Sequence, residues 1–121
     1  MRLQKLLKEP LYKSYLHKLS PSSFVGWQKR YFILFSDRIT YYKNEEDYLN
    51  QKHPKGVIRF DRVKVTLKPA KHGYFDLELL GSKRIFKLWA KEHYVYKNWT
   101  TRLENVIFKS LGFKNDIAIS N

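Results

Sequence analysis

The chain has 121 residues, enough to bury one core and too few for two. Lys and Arg number 24 against 11 Asp and Glu, a net charge of +13, and 17% of residues are aromatic, a bias that favours an anionic partner carrying phosphate, lipid or nucleic acid. The absence of cysteine excludes disulfides and thiolate metal sites, and no apolar run is long enough to span a bilayer, so a soluble chain with only peripheral membrane contact is expected, in a reducing, cytoplasmic setting.

Met1–Pro10 places Leu3, Leu6 and Leu7 at helical spacing between Arg2, Lys5 and Lys8, which predicts a short basic helix ended by Pro10. It serves either as a membrane-surface helix or as a lead-in to the domain. Leu11–Leu19 predicts a strand, and Ser20-Pro21-Ser22-Ser23 breaks it. Trp27–Phe35 is the strongest strand signal in the chain. Period two separates Trp27, Lys29, Tyr31, Ile33 and Phe35 from Gln28, Arg30, Phe32 and Leu34, and the second half, apolar on both faces, is expected to be covered on both sides.

Ser36-Asp37 turns the chain into Ile39–Tyr42, and Asn44–Lys52 is a charged excursion with one helical turn around Tyr48 and Leu49. Val57–Phe60 and Val63–Leu67 follow as short strands, then a loop over Pro69–Gly73. Tyr74–Leu80 and Lys83–Ala90 predict a hairpin with Gly81-Ser82 as a two-residue turn. Beyond Glu92 the spacing becomes helical: Trp99, Leu103, Val106 and Ile107 form an apolar stripe. Gly112 is expected to cap that helix. The chain thus divides into a basic extension over residues 1–11, a domain over 12–111 and a tail over 112–121.

Several short antiparallel strands followed by one amphipathic helix led by a tryptophan resemble the pleckstrin homology (PH) domain family. The resemblance is carried by Tyr15-Leu16-His17-Lys18-Leu19, the strand from Trp27 to Leu34, Ile39-Thr40-Tyr41-Tyr42, Pro54-Lys55-Gly56-Val57-Ile58, Phe75-Asp76-Leu77, Arg84-Ile85-Phe86-Lys87-Leu88 and Trp99, in family order. It implies a mainly β fold: a seven-stranded two-sheet barrel capped by the C-terminal α-helix. It also implies a ligand site at the open end, between the loops joining the first two strands, the third and fourth, and the sixth and seventh.

Lipid-binding members carry a lysine late in the first strand and a Lys/Arg-x-Arg pattern in the second. Lys18 and Arg30 match; Gln28, at the middle position, supplies a hydrogen bond but no charge. Phosphate recognition needs cationic donors, Arg as a fork and Lys as a mobile point charge. The expected headgroup site is therefore Lys18, Gln28, Arg30, Tyr41, His53 and Lys55, with Tyr41 donating its hydroxyl. Without the middle cation, phosphatidic acid or phosphatidylserine competes with a phosphoinositide. Phe24 and Val25, at a loop tip between serines, either enter the interfacial region of a bilayer, worth roughly 1 to 3 kcal/mol by area, or fold back on Trp27. Lys29 faces the other side of its strand and is a candidate for a lateral anion site. Trp99 belongs to the core.

Catalysis has no support. Gly-rich phosphate loops and nucleophile or zinc motifs are absent, and His17, His53, His72 and His93 lack metal-ligand spacing. No enzyme, cofactor or metal site is expected, and the domain is expected to act as a monomer. The competing readings are a protein-interaction module with a vestigial lipid site, which Gln28 favours, and a single-stranded nucleic-acid binder. The last is disfavoured because the aromatic residues alternate as core positions and form no evident stacking platform.

Overall fold

The computed structural model describes the backbone of residues 9–119 and the side chains of residues 9–111. The helix expected over Met1–Pro10 lies, through Lys8, outside the described residues. The elements are β1 (Tyr12–Leu19), β2 (Trp27–Leu34), β3 (Arg38–Tyr42), α1 (Glu45–Leu49), β4 (Gly56–Arg59), β5 (Val65–Pro69), β6 (Tyr74–Leu79), β7 (Ile85–Trp89) and α2 (His93–Ile119).

Where two sheets were expected, the seven strands form one antiparallel ladder in the order β4-β3-β2-β1-β7-β6-β5. Its strongest seam is β1–β2, in register from Tyr12 opposite Leu34 to Leu19 opposite Trp27. Its weakest is β1–β7, where only His17 meets Trp89 and Lys18 meets Leu88. Those two pairs join what would otherwise be separate sheets.

The doubly apolar half of β2 has a direct cause. Phe32 and Leu34 point into the main core with Leu16, Phe75, Leu77 and Leu88, while Tyr31, Ile33 and Phe35 form a second cluster on the outer face with Tyr42 and Tyr48. The lid over that outer cluster is α1. Asn44 caps it by accepting from the Asp47 amide at 2.8 Å, and Glu45, Glu46 and Asp47 place negative charge in its first turn, where the helix dipole favours it. The Tyr31 hydroxyl donates to the Glu45 carboxylate at 3.1 Å; burial first, and then this bond, push the Tyr31 pKa up to about 12.

The corner between β4 and β5 is closed by α2. Trp99 is 1% exposed, lies edge-on to Tyr12 and Phe32 at centroid distances of 5.4 and 6.2 Å, and donates its indole N–H to the Ser14 hydroxyl at 2.7 Å. Val95, Leu103 and Val106 continue its stripe into the core.

Two local expectations are corrected. Gly112 is not a cap, since α2 runs through it to Ile119; a glycine inside a helix costs only about 1 kcal/mol. Nor is Gly81-Ser82 a two-residue hairpin turn, because the last β6–β7 pair is Glu78 with Ile85. The Ser82 amide donates to the Leu79 carbonyl at 3.2 Å, which puts Gly81, at φ 82°, third in the turn. That position demands positive φ in a type II turn, which does not match strand twist, so the loop is longer.

Candidate functional site

Because β1–β7 pairing stops at Lys18, the two strands part toward the open end and leave a cleft of about 390 Å³. It is lined on one side by Lys18, Ser20 and Pro21 and on the other by Lys83, Arg84 and Phe86. Lys18 points inward by the same alternation that buries Leu16, and is 5% exposed. Its ammonium lies 5.6 Å from the centroid of Tyr41 and 5.8 Å from that of Phe86. The Arg84 guanidinium stacks on the same Phe86 ring at 4.2 Å.

Burial, and then the neighbouring charges of Arg84 and Arg30, hold the Lys18 pKa below its ordinary value. Arg30 donates to the backbone carbonyl of Lys29 at 2.9 Å. Among the described residues, none of these three cations is in an ion pair, although Arg38, Arg59, Lys68 and Lys87 all are. The fold thus gathers positive charge at a concave, partly apolar place without a counter-ion.

The residues expected at the site divide into two groups. Of them only Lys18 lines the cleft; the Tyr41 ring lies beneath its ammonium, Arg30 is near enough to act on its charge, and Gln28 stands directly across the ladder from it. Tyr41 is buried, stacked on Phe32 at 5.0 Å, so its ring forms the floor under Lys18. The close fit there excludes a side chain at Gly56: a Cβ would collide with the Tyr41 ring and hydroxyl. The exposed side chains of His53 and Lys55 sit on the α1–β4 connection and do not line the cleft. Lys55 is tied to the site through its backbone, its amide donating to the Tyr41 carbonyl at 2.7 Å.

Phe24 does not fold back on Trp27. It is 98% exposed, in a loop closed by the Ser20 amide donating to the Gly26 carbonyl at 2.9 Å, and Val25 beside it is exposed as well. The β6–β7 loop on the other side of the cleft carries exposed Leu80, and Ile85 is exposed at the start of β7. Lys29 lies on the outer face, its ammonium 4.7 Å from the Tyr15 centroid.

Two features escaped the sequence. Arg84 reads there as part of the returning strand Lys83–Ala90 and not as a site residue; the ligand site implied beside the loop between the sixth and seventh strands is the signal that could have found it. The other is an outer row of aromatic side chains, where the sequence pattern places the aromatic residues in the core. Trp27 lies 5.8 Å from Tyr74, Tyr74 stacks on Trp89 at 5.9 Å, and Trp89 meets His17 at 5.0 Å.

A small antiparallel barrel plugged by its last helix, with a cationic cleft at the open end whose cations form no ion pair among the described residues, defines the architecture. The sequence pattern of the PH domain matches residues 10–108, and the chain belongs to that family. A curated relative, "Uncharacterized protein CG43867" of Drosophila melanogaster, is 31% identical over 80 residues, which cover 66% of this chain and 4% of the relative. The chain therefore matches only a small part of that protein's length.

Among solved structures, the PH domain of human oxysterol binding protein-related protein 11 superposes with a TM-score of 0.64 at 22% identity, over 79% of this chain and 78% of that one. The Slm1-PH domain in complex with phosphoserine gives 0.65 at 16%, over 81% and 95%. The DH/PH fragment of PDZRHOGEF in complex with human RhoA gives 0.66 at 13%, over 84% and 29%. At these identities the likeness is one of fold.

Proposed function

We propose that this PH domain is a membrane-targeting module that binds anionic phospholipid headgroups at the open end of its barrel. The observation that carries the proposal is the meeting of Lys18 and Arg84 in one cleft, with Arg30 close enough to act on Lys18, and none of the three in an ion pair among the described residues. A phosphate there relieves the mutual repulsion of the three cations. Arg84 offers a forked donor in the cleft and Lys18 a point charge at its base, while Arg30 and Gln28 beside them add a second fork and a neutral hydrogen bond. Tyr41 holds Lys18 through its ring face, while His53 and Lys55 meet the charged surface outside the cleft.

The phosphoserine of the Slm1 complex is a phosphate monoester, the chemistry that phosphatidic acid and the phosphoinositides also present; phosphatidylserine offers a related anionic headgroup. Phe24 and Val25 on one side of the cleft, and Leu80 and Ile85 on the other, enter the interfacial region as the headgroup binds. The module is a peripheral one, and no helix among the described residues is long and apolar enough to cross a membrane.

The test is co-sedimentation with vesicles of phosphatidylcholine alone or supplemented with phosphatidic acid, phosphatidylserine or a phosphoinositide. Pelleting with anionic vesicles only is expected. A Lys18→Ala plus Arg84→Ala variant, with far-UV circular dichroism unchanged, is expected to bind about thirty-fold more weakly, at about 1 kcal/mol per cation. Failure of the parent to pellet with any vesicle overturns the reading. It would favour the alternative that Gln28 supports, a protein-interaction module.

A further inference from the structure

We infer that the outer wall made by β2, β1, β7 and β6 is a second membrane-contact surface, which lays the docked barrel on its side against the interfacial zone of an anionic bilayer. This rests on the lipid-binding reading above and adds the posture in which the domain sits. The wall carries the row Trp27, Tyr74, Trp89 and His17, contributed by four strands, with Trp27 and Tyr74 each 42% exposed.

How the rings meet decides what they fit. Tyr74 and Trp89 lie within 26° of parallel at 5.9 Å, and each has a further ring neighbour, Trp27 at 5.8 Å and His17 at 5.0 Å, so the rings crowd one another and mainly edges remain for a partner. A platform for nucleic-acid bases, or a cage for a quaternary ammonium, needs free ring faces. Edges that combine an apolar body with a polar tip suit the bilayer interface, where Trp and Tyr concentrate.

The row is also held in place. The Trp89 indole N–H donates to the His72 carbonyl at 3.0 Å, and the Ala90 amide to the Gly73 carbonyl at 2.9 Å. The approach at Gly73, φ 86°, is so close that a Cβ would collide with the Ala90 carbonyl.

Two further observations select lipid as the occupant. The wall is continuous with the exposed Phe24–Val25 tip, since Trp27 follows Gly26 directly and opens β2. Its charge is also complementary to anionic lipid. Asp76 and Glu78, the carboxylates on this face of β6, are engaged by Lys87 at 3.2 Å and Lys68 at 3.5 Å. Lys29 beside Trp27, and Lys71 and Lys91 beside the Gly73–Ala90 contact, form no ion pair among the described residues.

The experiment uses the intact chain and vesicles of phosphatidylcholine with phosphatidic acid, including a set whose acyl chains are brominated near the headgroup. Of the tryptophans, Trp27 and Trp89 lie on the wall and Trp99 is in the core. Bromolipid is expected to quench the bound protein, with quenching that survives Trp27→Phe, through Trp89 on the wall, and is lost in the Trp27→Phe plus Trp89→Phe variant. Tyr74→Ser is expected to weaken vesicle binding about tenfold while leaving affinity for a water-soluble short-chain phosphatidic acid unchanged. Vesicle binding without quenching, and untouched by Tyr74→Ser, overturns the wall and leaves the headgroup reading intact; absence of vesicle binding overturns both. Sedimentation as a dimer that Tyr74→Ser dissociates assigns the wall to a second copy of the chain and overturns the proposal.

Discussion

A single side chain shows the tension in this domain. Lys18 is an ammonium removed from water, set over two aromatic rings and facing two guanidinium groups. Its folded pKa lies below its ordinary one, so the charge costs stability at all pH values below the folded pKa. That cost is relieved as pH rises through the folded value toward and beyond 10.5. Lys18→Met, which keeps the apolar stem and removes the charge, is expected to raise unfolding stability by on the order of 1 kcal/mol. Urea denaturation should show a higher midpoint at an unchanged slope, and the same variant should bind anionic vesicles more weakly than the parent. Lys18 and Arg30 were legible because they fall at positions a resembling family marks. Arg84 was not, because nothing in Lys83-Arg84-Ile85 reveals that its guanidinium will lie on Phe86 beside a lysine from the first strand.

Elements were legible where their periodicity was local. The doubly apolar half of Trp27–Phe35 announced cover on both faces, and the structure supplies it with the core on one side and α1 on the other. The stripe led by Trp99 announced a helix that closes the barrel. What the periodicity could not carry is contact between remote strands: the single ladder, and the meeting of Trp27 and His17 with the Tyr74–Trp89 pair of the β6–β7 hairpin, exist only once β1 meets β7. The plug makes a stability prediction at this scale. Trp99→Ala removes the largest fully buried side chain and is expected to cost about 3–5 kcal/mol. Trp99→Phe keeps most of the volume and loses mainly the bond to Ser14, about 1 kcal/mol. Thermal unfolding followed by circular dichroism separates the two.

For the whole molecule, a net charge of +13 on 121 residues means that attraction to an anionic bilayer begins well before contact. Between about 0.1 and 1 M salt the Debye length shrinks from about 10 to about 3 Å. Vesicle affinity is therefore expected to fall at least tenfold across that range, with a residue of binding left by Phe24, Val25 and the aromatic wall. A salt titration of co-sedimentation measures both parts, and a flat titration would mean that apolar contact alone carries the docking.

The two-pair junction between β1 and β7 also fixes the order in which the chain can complete itself. During synthesis β1 can pair with β2 as soon as both are made, but its other flank has no partner strand until β7 has emerged. A nascent chain interrupted before Ile85 would carry that sticky border into the cell, so the final third of the chain is what protects the beginning from aggregation.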